Sequence, residues 1–305
     1  MQASMIKPLH WLVAGAALAS AGSALAHDAV AERLRHPDEV IVVAHRGCVG
    51  EAPEVSVASI HACAGKGINA VEMDVRTSRD GHLVAIHDAT VDRTTDGKGK
   101  VAEMTLAQLQ QLRLRRANGG PSVVVTDEPL PTLRDMLLAA RQHGFIVHLD
   151  IKQAGYADVA ALVDALGMRG QTTVWVTGRP GDPAHPDPAL AGVLGVVPRI
   201  QECPASRGPG CKSAPLDTMP GFAAYNPPGY FLWYLTTDEE FRQFHATPKA
   251  SGARLMTETL WEVDNLPTPQ RHQRYRQLRE LGATYFITDK PADMAAFFRG
   301  MEAEK

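Results

Sequence analysis

Short apolar runs ending in polar or charged side chains alternate with segments of helical periodicity from Ile41 to Pro291. Such alternation favours a parallel sheet joined by crossover helices. The strand-like runs are 41–47, 70–77, 83–87, 145–152, 172–177, 193–202, 230–235, 253–260 and 285–289, with a further short apolar segment at 221–226. Helical spacing marks 56–66, 105–112, 132–143, 157–166, 239–245, 270–281 and a terminal segment from Pro291. About eight strands over about 250 residues match the size of a (β/α)8 barrel. The competing architecture is a doubly wound open sheet, but no G-x-G-x-x-G follows the first strand.

The barrel also accounts for where the polar residues fall. His45, Glu72, Asp74, His87, Asp150, Lys152, Glu202, Glu258 and Asp289 all stand near the C-terminal ends of strands. An unpaired polar group in a packed core costs about 2–7 kcal/mol. Such a concentration is tolerated when the groups face one another in a site.

Glu72 and Asp74 are two apart on one strand and project to one face, as do Asp150 and Lys152. Three carboxylates converging at a barrel mouth repel one another, and a hard divalent cation, Ca²⁺ or Mg²⁺, relieves that repulsion. The alternative is salt bridging: Asp150 with Lys152, and Glu72 or Asp74 with Arg76 or Arg46. His45 and His87 beside these carboxylates are equipment for general acid–base chemistry near neutral pH. Arg46 offers the planar fork suited to a phosphate, and Lys152 a second positive group. Together the set suits in-line displacement at a phosphodiester.

The outer segments bound location and partners. Lys7, the small and apolar stretch 11–26, and Ala24-Leu25-Ala26 read as a secretory signal peptide cleaved before His27. The alternative, an uncleaved anchor, meets a run short of the about 20 residues a bilayer requires. Residues 27–305 are then one exported domain, periplasmic or secreted, with no stable membrane anchor after cleavage. The formal net charge of −3 provides no basic footprint for nucleic acid. All four cysteines lie beyond the signal, and an even number in an exported chain is compatible with two disulfides. Cys203 and Cys211 bracket a Pro/Gly-rich loop and are paired on that ground, leaving Cys48 with Cys63. A zinc site is disfavoured because there is no C-x-x-C.

The residues His45-Arg46-Gly47, Pro53-Glu54, Ala58, Gly67, Val71-Glu72-Met73-Asp74-Val75, Thr77, Asp80-Gly81 and His87-Asp88 resemble the glycerophosphodiester phosphodiesterase signature. So do Asp92-Arg93-Thr94-Thr95, Pro131-Thr132-Leu133, Asp150-Ile151-Lys152 and Thr288-Asp289-Lys290-Pro291. The front half carries the specific motifs; the stretch from about Thr172 to Gly252 does not. The resemblance implies a (β/α)8 barrel of the phospholipase-C-like phosphodiesterase type. It implies hydrolysis of glycerophosphodiesters, a small-molecule substrate class, to sn-glycerol 3-phosphate and an alcohol. By motif, His45 and His87 are the acid–base pair, and Glu72 and Asp74 bind one divalent cation with Asp150. Arg46 and Lys152 contact phosphate, and Glu54 lies in or beside the metal and substrate shell. Two positions depart from the family pattern: Val55-Ser56 stand where Asn-Thr is usual, and Asp150 where Glu is usual.

Two other functions fit the same barrel. A phospholipase-D-like enzyme acting on lysolipids or sphingolipids needs an apolar entrance, which Tyr230-Phe231-Leu232-Trp233-Tyr234 could supply unless that run is core. A non-catalytic phosphodiester-binding barrel has no need of both histidines and all three acidic positions.

Overall fold

The computed structural model describes residues 32–34, 36–201, 203, 211–233, 237–247 and 253–303. The proposed signal peptide, Glu202 and Tyr234 lie outside the described residues. The elements run β1 (Ile41–Ala44), α1 (Val57–Ala62), β2 (Ala70–Thr77), β3 (Leu83–Ala85), α2 (Leu106–Leu109), β4 (Arg113–Arg115), β5 (Val125–Pro129), α3 (Leu133–Gln142) and β6 (Ile146–Gln153). Then come α4 (Tyr156–Ala165), β7 (Thr172–Thr177), β8 (Gly195–Ile200), a 3-10 segment (Leu216–Tyr225), β9 (Gly229–Leu232) and α5 (Asp238–Ala246). The chain closes with β10 (Arg254–Glu258), α6 (Thr268–Glu280), β11 (Ala283–Thr288) and α7 (Pro291–Ala303).

Eight strands pair in parallel in the order β1-β11-β10-β9-β8-β7-β6-β2, and pairing of β1 with β2 closes the ring. The barrel expectation is therefore met. Strand alternation sets two apolar layers. Ile41, Val43, Ala70, Ile146, Trp175, Val197, Phe231, Met256, Tyr285 and Ile287 fill the interior. Val42, Ala44, Val71, Met73, Val147 and Leu149 face outward, in one cluster with residues of the helices. At the N-terminal end Arg254 is buried, and its guanidinium donates to the carbonyls of Arg33 at 3.0 Å and Glu39 at 2.6 Å. That grip ties the lead-in segment across the barrel floor.

Two expectations are corrected. Residues 83–87 do not form a barrel strand: β3 is antiparallel to β2, with Val75 opposite Ala85. The turn between them, fixed by Ser78 Oγ on Asp80 at 2.7 Å and by Gly81 at φ +85°, is far too short for a parallel crossover. His87 therefore enters the site from a side strand. The segment 105–112 is helical over Leu106–Leu109 alone, because the chain turns at once into β4. The apolar segment at 221–226 belongs to a 3-10 turn that contains Pro220. The long excursion between β2 and α3 has its own small core of Val84, Ile86, Val91, Val101, Leu109, Leu114 and Leu130.

Both expected disulfides are present, Cys48–Cys63 and Cys203–Cys211, with Cα separations of 5.4 and 5.8 Å. Replacing Cys203 and Cys211 together by serine should cost about 2–3 kcal/mol on the chain-entropy model for so short a loop. Urea unfolding measures that loss. Non-reducing peptide mapping that finds both thiols free in the oxidised protein would refute the bond.

Candidate active site

One inward position beyond the apolar interior, side chains at the barrel mouth turn polar or amphipathic. His45 follows Val43, Glu72 follows Ala70, Arg199 follows Val197, Trp233 follows Phe231, Glu258 follows Met256 and Asp289 follows Ile287. The i, i+2 rule aims each of them into the same space. Asp74 and Asp150 are register partners on adjacent strands.

Glu72, Asp74 and Asp150 each present an oxygen within 4.8 Å of the others. Glu72 and Asp74 are buried. Glu72 Oε2 accepts the Arg46 N–H at 2.9 Å, while Asp74 Oδ2 is buried without a hydrogen-bond partner. Burial, then repulsion by Asp74, pushes Glu72 up to about 8. Burial raises Asp74 also, against the pull of Lys152. Burial opposes the charge of Asp150 too, but Arg199 and Lys152 outweigh it and hold that carboxyl below its usual range. The salt-bridge alternative is realised in part: Lys152 Nζ lies 2.7 Å from Asp150 and 3.3 Å from Asp74, and Arg46 Nε lies 3.7 Å from Asp74. Those cations leave Glu72 against His45 Nε2 at 4.0 Å. An oxygen triad with one orphaned oxygen and a carboxyl held near neutrality fits a hard divalent cation.

Each expected histidine is oriented by a carboxylate on Nδ1. His45 Nδ1 lies 2.8 Å from Asp289 Oδ1, and His87 Nδ1 2.7 Å from Asp88 Oδ1. An ionised carboxylate only accepts, so both rings carry the proton on Nδ1 and keep Nε2 for exchange. Burial pulls the His45 pKa down, but Asp289 and Glu72 outweigh it, and the net shift is upward. Asp88 is held well below the usual carboxylate range, chiefly by Arg93. Arg93 reaches Asp88 at 2.7 Å and Glu54 at 2.7 Å, and Glu54 meets Arg46 Nη1 at 3.3 Å. Glu54 is thus engaged by two arginines and is not one of the three clustered carboxylates.

Backbone strain shapes the first loop. Arg46 and Val55 both have positive φ, +56° and +47°, and Val55 N–H bonds Arg46 C=O at 3.0 Å. A β-branched residue there is a genuine outlier. Asparagine, which the motif resemblance leads one to expect here, tolerates that conformation more readily, so valine at position 55 carries strain. Ser56 keeps the N-cap, accepting the Ser59 N–H. Gly47 is required, because a Cβ would stand 2.3 Å from Ser59 Oγ.

Sequence reasoning missed three contributors. Arg199 has its guanidinium carbon 3.6 Å from the centre of the Trp175 ring and 4.3 Å from that of Trp233. Only its inward parity after Val197 could have flagged it. Asp264, buried on the loop after β10, accepts from Thr259 Oγ1 at 2.8 Å, Thr288 Oγ1 at 2.9 Å, Tyr275 OH at 3.2 Å and the Asp289 N–H at 2.7 Å. It therefore sets the backbone whose side chain orients His45. Asp264→Ala should destabilise by about 2–4 kcal/mol by stranding these donors. Urea unfolding checks this, and an unchanged midpoint would dismiss the network. Third, His148 sits beneath Asp150, buried against Thr173 Oγ1 at 2.7 Å, and burial holds it neutral with a pKa of about 3. Tyr230, Phe231 and Leu232 are buried, and Trp233 Nε1 donates to Glu258 at 2.7 Å. Tyr230, Phe231 and Leu232 therefore build the barrel, and of the described residues in that run Trp233 alone stands at the mouth.

A (β/α)8 barrel whose mouth gathers three carboxylates and two carboxylate-oriented imidazoles defines the class. Residues 45–169 match the glycerophosphoryl diester phosphodiesterase family, so the resemblance carried by the motifs holds over that segment. Glycerophosphodiester phosphodiesterase 1 of Mus musculus is 38% identical over 128 residues, 42% of this chain and 38% of the relative. The glycerophosphodiester phosphodiesterase of Caldanaerobacter subterraneus subsp. tengcongensis is 36% identical over 114 residues, 37% of this chain and 46% of the relative. The chain spans less than half the length of these curated relatives. In fold it is similar to a glycerophosphoryl diester phosphodiesterase of Parabacteroides distasonis, with a TM-score of 0.69, 19% identity, and 90% of this chain and 92% of that one covered. It is also similar to a phosphodiesterase of Oleispira antarctica in complex with the product sn-glycerol-3-phosphate, with a TM-score of 0.58, 22% identity, and 85% and 96% covered.

Proposed function

We propose that this protein is a metal-dependent phosphoric diester hydrolase that converts glycerophosphodiesters to sn-glycerol 3-phosphate and an alcohol. The observation that carries the reading is the convergence of Glu72, Asp74 and Asp150 within 4.8 Å beside His45. The names of the curated relatives and the product held by the Oleispira antarctica protein support the same substrate class.

Glu72, Asp74 and Asp150 would hold one divalent cation, Ca²⁺ or Mg²⁺. When bound, it supplies charge stabilisation to the phosphoryl oxygens. Arg46 and Lys152 bind the phosphate, with Arg46 steadied by Glu54. His45 and His87 divide the proton transfers: one takes the proton from the nucleophile, the other gives a proton to the leaving oxygen. Asp289 and Asp88 fix the tautomer in which Nε2 performs each transfer. Burial of the carboxylates strengthens every one of these interactions.

A product assay separates the readings. Glycerol 3-phosphate released from glycerophosphocholine, with no choline from lysophosphatidylcholine, supports this function. Choline released from the lysolipid supports the phospholipase-D-like alternative, and turnover of neither supports a binding barrel.

Export is part of the proposal. Two disulfides suit an oxidising compartment, and among the described residues no helix is long and apolar enough to cross a membrane. Protein isolated from the envelope of its host should begin at His27. An N-terminus that retains Lys7 contradicts cleavage.

A further inference from the structure

The Asp92-Arg93-Thr94-Thr95 motif lies on the excursion between β2 and α3, and neither the proton transfers nor the phosphate contacts assigned above use it. Thr95 closes a turn there: its N–H and its hydroxyl both donate to the Val91 carbonyl, at 3.0 and 2.8 Å. Val91 is buried in the small core of the excursion, so the turn is anchored and the Arg93 side chain leaves it from a fixed point. The Arg93 carbonyl accepts the Gly120 N–H at 2.7 Å, and a Cβ on Gly119 would stand 2.4 Å from that same oxygen.

A guanidinium has five N–H donors in one plane, and Arg93 uses all of them. Nε and Nη2 donate to the two oxygens of Asp88 at 2.7 and 2.9 Å. Nη1 and Nη2 donate to the two oxygens of Glu54 at 2.8 and 2.7 Å. The remaining Nη1 donor goes to the Asn118 carbonyl, in the turn between β4 and β5. Two carboxylates, each gripped through both oxygens, and one carbonyl thus meet on a single planar cation. They come from the loop after β1, the segment after β3 and the turn after β4.

Each carboxylate continues to a residue of the site. Asp88 Oδ1 also lies 2.7 Å from His87 Nδ1, while Arg76 donates to the His87 carbonyl at 2.8 and 3.0 Å. With the backbone of His87 held by Arg76, the direction of its ring follows Asp88. Glu54 is buried, and both its oxygens accept from Arg46 Nη1 at 3.3 Å. The other carboxylate beside Arg46, Asp74, stands farther off, at 3.7 Å from Nε. β1 brings Arg46 to the mouth and β3 brings His87, and Arg93 grips the carboxylate partner of both.

We propose that Arg93 is a positioning residue: through Asp88 it aims the His87 ring and through Glu54 it sets the Arg46 fork, so that proton transfer and phosphate binding share one anchor. The proposal rests on the hydrolase reading above. Arg93→Lys tests it, because an ammonium keeps the charge but has no planar fork to grip two carboxylates at once. Arg93→Gln is carried through the same measurements, so that a fold lost in one variant does not remove the test. Both are made alone and in the Asp88→Asn and Glu54→Gln backgrounds, and kcat and KM are measured for release of glycerol 3-phosphate from glycerophosphocholine. Alone, each should lower kcat by at least about tenfold, since a misplacement of about 1 Å can cost about 10²-fold. Each should also raise KM by about threefold or more, where a loss of phosphate binding common to ground and transition states appears. In Asp88→Asn the further loss in kcat should vanish while the rise in KM persists, and in Glu54→Gln the reverse should hold, because residues of one network do not add. An arginine that only supports the fold would add its full loss in both backgrounds. That result, or wild-type kcat and KM in Arg93→Lys, overturns the inference. Release of no glycerol 3-phosphate by the wild-type protein overturns instead the hydrolase reading beneath it.

Discussion

Glu72→Gln should lower turnover by about 10³-fold or more, because the cation's share of transition-state stabilisation amounts to several kcal/mol. The same variant should lose the stabilisation that the cation gives. In the wild-type protein a ligand at a hundred times its Kd adds about 2.7 kcal/mol. For a chain of this size each kcal/mol moves Tm by about 2–4 °C. The pH dependence follows from the carboxyl itself. Burial and Asp74 raise Glu72 in the folded protein from 4.5 to about 8. The folded state thus binds a proton that the unfolded chain has released, so stability falls with rising pH across that interval. Its contribution is complete below 4.5 and lost as the pH passes through 8. In metal-free protein this decline should be shallower for Glu72→Gln than for wild type, and saturating cation should flatten it in wild type. If Ca²⁺ and Mg²⁺ shift wild type and variant equally, Glu72 is not a ligand.

His45→Ala and His87→Ala should each lower kcat/KM on a natural diester by about 10²–10⁴-fold. In the proposed mechanism one imidazole works neutral and the other charged, so the wild-type profile of kcat/KM against pH should be bell-shaped. Its limbs belong to the pair together with Asp289, Asp88 and Glu72. The two roles separate with the leaving group. A p-nitrophenyl diester barely needs protonation as it departs. The variant lacking the acid should recover much of its rate on that substrate, and the variant lacking the base should not. Losses under about tenfold for both, below the range for positioned acid–base groups, would reduce the histidines to structural parts.

Much of this was legible in the chain because it rests on short-range regularities. The alternation of strands and helices yields the barrel, and the period-two rule places Glu72 with Asp74 and Asp150 with Lys152. His45, Glu258 and Asp289 announce themselves as polar ends of apolar runs. What escaped depends on contacts that spacing does not encode. The turn at Ser78–Gly81 could have been read as too short for a crossover, yet its apolar run looked like any other strand. The relay from His87 through Asp88, Arg93 and Glu54 to Arg46 joins residues that a motif lists but cannot connect. Asp264 sits in an irregular loop, 24 residues from the Thr288 hydroxyl it accepts. Arg199 stands in a part of the chain with no motif, and its place against two indoles follows from the pairing of β7, β8 and β9.

The most direct measurement is release of sn-glycerol 3-phosphate from glycerophosphocholine by protein stripped with EDTA and then titrated with Ca²⁺ or Mg²⁺. The expected result is no product from the stripped protein, with recovery on adding about one equivalent of cation to wild type and no recovery in Glu72→Gln. Full-rate release in EDTA, or choline phosphate and glycerol as the products, would contradict the assignment of this site.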